Sequence, residues 1–177
     1  MQLVELSDAY GDFHVPTFPL SVAQRDLVHD AHLAISQVEA DLTLGGTARF
    51  SFTVTNAYDI ERRAFVTGAG GRLLDLLSFG AEVALSMGYR DKGGTKLILS
   101  GVITEIATSF PDGGAPELQV SGYDHGFPLT SGSGTRNWSN TRDSDVVRAI
   151  ATDHNLGVRI EPTHEVRPQI EQNQESD

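Results

Sequence analysis

Between residues 82 and 89 the chain alternates: Val83, Leu85, Met87 and Tyr89 are separated by the small or polar Glu82, Ala84, Ser86 and Gly88. A period of two places one set on the buried face of a strand and the other on its exposed face. A second apolar run, Leu97-Ile98-Leu99-Ser100-Gly101-Val102-Ile103-Thr104-Glu105-Ile106, follows the polar stretch Arg90-Asp91-Lys92-Gly93-Gly94-Thr95. The chain is therefore predicted to turn there and pair antiparallel. Nothing reactive is embedded in this hairpin. It reads as scaffold, and it points toward an assembly part rather than an enzyme.

The flanking segments extend the β pattern. Residues 15–22 hold Pro16 and Pro19 and are expected as an edge strand or an extended lead-in. Residues 33–42 read as a strand whose apolar spacing slips between Ile35 and Val38, the mark of a bulge or bend. In residues 48–56, Phe50, Phe52 and Val54 face one way and Arg49, Ser51, Thr53 and Thr55 the other. With Gly45-Gly46 as the turn, these two segments form a second expected hairpin. Residues 60–71 are expected to be an irregular connection, and residues 72–77 a short helix with Leu73, Leu74 and Leu77 on one face. Gly101 is expected to bend the strand that carries it. Phe110-Pro111-Asp112-Gly113-Gly114-Ala115-Pro116 signals a turn before a further strand over residues 118–123. Short strands joined by turns suit a small antiparallel barrel or sandwich.

Beyond residue 128 the pattern changes. Thr130-Ser131-Gly132-Ser133-Gly134-Thr135 reads as a flexible polar linker. Asp143-Ser144-Asp145 offers N-cap chemistry to a helix carrying Val146, Val147, Ile150 and Ala151, closed by Asn155 or Gly157. Residues 157–161 read as a short strand. Residues 166–177 are polar and, taken alone, are expected to be disordered or docked on a partner. The fold class expected is mainly β: a small antiparallel β-barrel over residues 1–128, then over 129–177 a linker and the start of an α+β unit, an α/β insertion that is incomplete as the sequence stands.

Composition removes several functions. With 18 Gly and 7 Pro in 177 residues the chain favours turn-rich β structure. A formal charge of −11 opposes nucleic-acid recognition, which needs basic surface to displace counterions, and opposes adsorption to anionic bilayers. With no cysteine, thiolate chemistry and disulfides are impossible. No apolar run approaches the ~20 residues of a membrane span. Met1-Gln2-Leu3-Val4-Glu5-Leu6-Ser7-Asp8 has no basic or apolar signal region, so no signal peptide is expected.

Candidate chemistry is sparse. The histidines are His14, His29, His32, His125, His154 and His164. His29 and His32 with Asp30 form a conceivable metal clip, but the spacing favours no coordination geometry and no third ligand is apparent. Asp124-His125 resembles half of a catalytic dyad without a nucleophile elbow. Asp153-His154 ends the predicted helix, where an imidazole complements the dipole. Gly68-Ala69-Gly70-Gly71-Arg72 invites comparison with a phosphate loop but lacks the required glycine order and lysine, so a flexible connection is the simpler reading. Asp143 and Asp145 suit capping better than cation binding. Trp138, the single tryptophan, lies in an apparent polar loop and reads either as a carbohydrate platform or interface anchor, or as packing. The expectation is no catalytic residue, no cofactor and no metal.

Four segments in order carry a resemblance: Phe79-Gly80 … Val83 … Gly88-Tyr89; Ser100-Gly101-Val102-Ile103-Thr104-Glu105-Ile106; Leu118-Gln119-Val120-Ser121-Gly122-Tyr123-Asp124; and Asp143-Ser144-Asp145-Val146-Val147 … Ile150-Ala151. Together they resemble the phage late control D family, the baseplate hub proteins of contractile tails, including VgrG-type hub-spike proteins of secretion and contractile injection systems. The closing Gln172-Asn173-Gln174-Glu175-Ser176-Asp177 is similar to a segment leading into the next helix of such proteins. The resemblance runs from about Phe18 to the last residue. It implies a non-enzymatic structural role. Such hubs are homotrimers in which two β-barrels per chain build a pseudo-sixfold ring joining the hexameric tail tube to the trimeric spike. The implied partners are tail-tube protein, the spike and other baseplate proteins, and the implied setting is a phage-tail-like particle assembled in the bacterial cytoplasm. The second barrel and spike are missing from this sequence, so a part of a longer hub is expected. The alternative is a carbohydrate- or receptor-binding β module using Trp138. A hydrolase built on Asp124 and His125 is a third reading.

Overall fold

A computed structural model describes residues 16–89 and 94–177. The chain divides into two compact units, Met1–Asp124 and His125–Asp177.

The first unit is one antiparallel sheet curled into a half-barrel. Its strands are β1 (Pro16–Thr17), β2 (Leu20–Val22), β3 (Arg25–Asp26), β4 (Ala34–Asp41) and β5 (Arg49–Thr55), followed after a small hairpin by β8 (Glu82–Tyr89), β9 (Thr95–Ser109) and β10 (Glu117–Asp124). The hairpin is β6 (Tyr58–Asp59) and β7 (Ala64–Phe65). The spatial order is β3-β2-β8-β9-β10-β5-β4, with β1 also on β8. Strand β9 is long enough to pair with β8 through one half and with β10 through the other. Three register breaks bend the sheet, between Ile35 and Gln37, between Leu85 and Ser86, and between Ser121 and Gly122. Each inserts one extra residue on one strand and increases the local twist, which is how a flat ladder becomes a curved one. The slip expected near Ile35 is the first of these.

The alternation in β5 holds throughout: Phe50, Phe52 and Val54 are buried in the core with Val83, Leu85, Leu99, Ile103, Leu118 and Val120. In β8 it holds only as far as Leu85. Past the register break Met87 is 45% exposed, so the buried face expected to run to Tyr89 stops at the bulge. The turn predicted over residues 90–95 lies largely outside the described residues, as does His14. Helix α1 (Leu73–Leu76) forms where expected, with Leu73 and the following Leu77 fully buried and Leu74 turned outward. Residues 60–71 are more ordered than an irregular connection, because β7 lies within them and pairs with β6 just before them. Gly101 is a close-approach position: a side chain there would strike the Tyr123 backbone across the ladder.

In the second unit a 3-10 turn (Phe127–Thr130) leads into β11 (Gly134–Thr141), helix α2 (Asp143–Asp153) and β12 (Arg167–Glu175). Strands β11 and β12 pair antiparallel. Three expectations are overturned here. The segment read as a flexible linker starts on the last residue of the 3-10 turn and ends in the first residues of β11. The polar tail is a strand, held by main-chain bonds to β11, with Ile170 and Gln172 turned inward. Residues 157–161 form no strand.

Helix α2 also begins differently from expectation. Its N-cap is Arg142, without a side-chain cap, and Asp143 and Asp145 lie in the first turn, where negative charge meets the positive end of the dipole. The cap comes from a distance. Thr163 Oγ1 accepts the Ser144 N–H (3.3 Å), and buried Ser144 Oγ accepts the Thr163 N–H (3.3 Å). At the other end Asn155, at φ 56°, closes the helix: its N–H bonds Thr152 and the Leu156 N–H bonds Ala151, a Schellman arrangement. Ser144→Ala is expected to cost about 1 kcal/mol and to accelerate amide exchange at Thr163, measured by hydrogen exchange. Unchanged Thr163 protection would show that the bridge does not hold the segment.

Candidate functional site

The structure does not bring the sequence-derived candidates together. Asp26 Oδ1 accepts the N–H groups of Val28 (2.8 Å) and His29 (2.7 Å), and the exposed His29 ring lies 3.1 Å from the same oxygen. Burial of Asp26 acts to raise its pKa, but these bonds and the His29 ring outweigh it and hold the carboxyl below the ordinary range. Asp30 accepts the Asp26 N–H, and His32 is exposed, so the imagined metal clip does not form. Among the described residues no three His, Asp or Glu side chains converge as a metal site. Asp124 forms a reciprocal pair of bonds with Ala48, its N–H donating to the carbonyl (2.9 Å) and its carboxylate accepting the Ala48 N–H (2.9 Å). That carboxylate anchors the start of β5.

The glycine loop is also occupied. The N–H groups of Gly68, Gly70 and Gly71 donate to Ala31, to the Thr67 carbonyl and to Thr67 Oγ1. A phosphate cradle needs such groups pointing outward. Asp143 pairs with Arg167 (2.9 Å) and Asp145 with Arg148 (3.0 Å), each carboxylate having its own arginine. Trp138 is on strand β11 rather than in a loop, half-buried opposite Ile170.

Sequence reasoning missed one constellation. In the second unit the Asp177 carboxylate faces His154 Nε2 (2.7 Å), Arg136 Nη2 (3.1 Å) and Gln172 Nε2 (2.8 Å). These groups lie 23, 41 and 5 residues from Asp177, so no local motif announces them. Only the pairing of Arg136 with Gln172 across β11 and β12 makes the cluster visible. His154 thus does more than complement the helix dipole.

What the first unit offers is surface. Among the described residues β3 and β4 are the lateral strands of the sheet, and neither has a strand partner on its outer side. Between the β1–β3 side and β4 lies a groove of about 450 Å³, lined by Phe18, Leu20, Val28, Ile35 and Val38 with Asp26 and His29 on its polar side. Phe18 and Val28 are 46% and 45% exposed. A second apolar area sits on the β8–β9 hairpin, where Met87, Leu97 and Ile98 are exposed. Solitary exposed apolar residues are ordinary, whereas groups of them beside open sheet edges mark contact surfaces.

A family model described as the Alg8 N-terminal domain matches residues 73–177, from α1 to the last residue. The chain belongs to that family. The matched Alg8 N-terminal domain region includes β8, β9, β10 and the whole second unit. No curated protein matches the chain. Among solved structures, a 43 kDa tail protein of prophage MuSo2 from Shewanella oneidensis shares the fold with a TM-score of 0.65 at 13% identity, over 92% of this chain and 46% of that one. A tail protein from Neisseria meningitidis MC58 matches with a TM-score of 0.50 at 14% identity, over 79% of this chain and 34% of that one. The chain thus has the fold of phage tail proteins and spans less than half the length of each. Among the described residues no helix is long and apolar enough to cross a membrane.

Proposed function

We propose that this chain is a structural part of a phage-tail-like particle, the N-terminal region of a baseplate hub that joins the tail tube to the spike. The observation that supports this best is the fold itself, which 92% of the chain shares with a prophage tail protein. The curled sheet fits the role physically. A rigid half-barrel with unpartnered lateral strands presents main-chain groups and apolar side chains to neighbours, and a ring of identical copies needs such self-repeating surfaces. The first unit corresponds to the ring-forming barrel and the second to the start of the insertion. The role requires no reacting group, cofactor or metal, and the partners are further copies of the chain in a trimer, tube protein and spike. Acidic surface suits a passage through which cargo moves without adhering.

The test is assembly. The full-length protein should run as a trimeric ring by mass photometry and electron microscopy, and should co-sediment with tail-tube protein. Leu97→Asp, on an exposed apolar surface, is expected to weaken that co-sedimentation at least ~10-fold with little change in melting temperature. A monomer indifferent to tube protein would end the reading. The alternative of a glycan-binding module is disfavoured by the half-buried placement of Trp138 within a paired strand.

A further inference from the structure

We propose that the aromatic recess between the β6–β7 hairpin and the end of β9 receives an acidic peptide segment of a partner protein, bearing one apolar anchor residue. Three rings meet there. Tyr58 lies edge-on to Phe65 (5.2 Å between centroids) and to Phe110 (5.4 Å), and Phe65 and Phe110 are 6.3 Å apart. Phe65 is buried with the core, whereas Phe110 is 58% exposed. An aromatic cluster rooted in the core therefore ends at the surface with an open ring. A recess of about 250 Å³ lies over it, closed on one side by Leu74, itself 43% exposed.

The charge at this recess is opposite to that of the chain. Arg63 and Arg72 line it. Arg49, Arg62, Arg136, Arg148 and Arg167 each have a carboxylate partner, whereas among the described residues Arg63 and Arg72 have none, like Arg25, Arg142 and Arg159, and Arg63 and Arg72 share this recess. Arg63 also holds φ at 50°, a conformation that L side chains rarely adopt and that glycine would accept without strain. In a chain of formal charge −11, two guanidinium groups without a carboxylate partner beside an exposed ring form a cationic, aromatic site.

These parts define the occupant. Guanidinium groups bind carboxylates through charge-assisted, geometrically specific bonds, and a central aromatic pocket with arginine at its edge has the composition of an interface hot spot. An apolar side chain fills the recess while flanking carboxylates meet Arg63 and Arg72. Nucleic acid and anionic bilayers also carry negative charge, but both are extended polyanions that the remaining acidic surface repels. A short acidic segment is accommodated locally. This site stands on its own geometry and holds whether or not the hub assignment does.

The probe is a fluorescein-labelled peptide, Asp-Glu-Leu-Phe-Asp-Glu, followed by anisotropy with the full chain, beside a version with lysine at every acidic position. The acidic peptide is expected to bind at least ~10-fold more tightly than the basic one, and more weakly as salt is raised. The double charge reversal Arg63→Glu, Arg72→Glu, made at exposed positions, is expected to lower affinity at least ~10-fold, and Phe110→Ala by a similar factor. Equal binding of the two peptides, no binding at millimolar concentration, or indifference to the arginine reversal overturns the proposal. Concentration-dependent self-association abolished by Phe110→Ala would also overturn it, making the occupant a second copy of the chain.

Discussion

Gly122→Ala is expected to destabilise the first unit by about 3 kcal/mol, lowering its melting temperature by on the order of 10 °C. Gly122 sits at the β9–β10 register break, opposite Phe50 in β5. A methyl group there would overlap the Val102 carbonyl oxygen on one side and come within 2.6 Å of the Phe50 ring on the other. The ring is buried and stacked with Phe52 at 6.5 Å, so it has little room to yield. The clash with Val102 is with main chain, which moves only if the ladder moves. Phe50→Leu should therefore fail to rescue Gly122→Ala, although it would relieve the side-chain overlap. Gly157→Ala is the control, since nothing lies within 4 Å of that added methyl. Thermal melts by far-UV circular dichroism distinguish the variants. A Gly122→Ala protein as stable as wild type would mean that the backbone at this crossing is not as close as described.

This case also shows what could be read from residue order and what could not. The β5 face was legible because Phe50, Phe52 and Val54 are apolar and their neighbours polar, so period two is unambiguous. The β4 bulge was legible because one inserted residue displaces the apolar period between Ile35 and Val38. The limits of β8 were not, because Met87 continues the pattern although the ladder has already shifted at Ile98. Strands β11 and β12 were least legible. Their inward positions hold Arg136, Trp138, Ile170 and Gln172, so the buried face is largely polar and no hydrophobic alternation marks it. The glycine loop misled in a milder way: its composition suggests freedom, whereas its N–H groups are tied internally. The candidate surfaces depend on which strands end up lateral and which rings meet across 45 or more residues, as Phe65 and Phe110 do; that is topology rather than local pattern.

The second large effect is expected at Asp177. Its carboxylate gathers His154, Gln172 and Arg136, and Arg136 also faces Asp153 at 3.7 Å. The hydrogen bond with His154, then that from Gln172, then the Arg136 and His154 charges hold the Asp177 carboxyl below its ordinary value, against burial, which raises it. On unfolding it returns to the ordinary value, near 3.8. Because the folded value is the lower one, the stabilisation is complete above the unfolded value and is lost as pH falls through the folded one. The second unit is thus expected to lose stability below about pH 4 through this group. Asp177→Asn should remove that dependence and cost about 2 kcal/mol at neutral pH, the worth of hydrogen bonds to a charged group at a partly exposed site. Asp177→Ala should cost more, since it removes the acceptor altogether and leaves His154 without its carboxylate partner, Arg136 with Asp153 alone and Gln172 with only the Glu175 and Ser176 carbonyls. Trp138, the single tryptophan, lies on β11 beside this cluster, so its fluorescence reports the second unit alone. Denaturant titrations followed at Trp138, repeated at successively lower pH from neutral, should draw together for wild type and Asp177→Asn as the pH falls below the ordinary carboxyl value. Curves that remain equally far apart at every pH would show that the Asp177 charge is not what holds β11, β12 and α2 together.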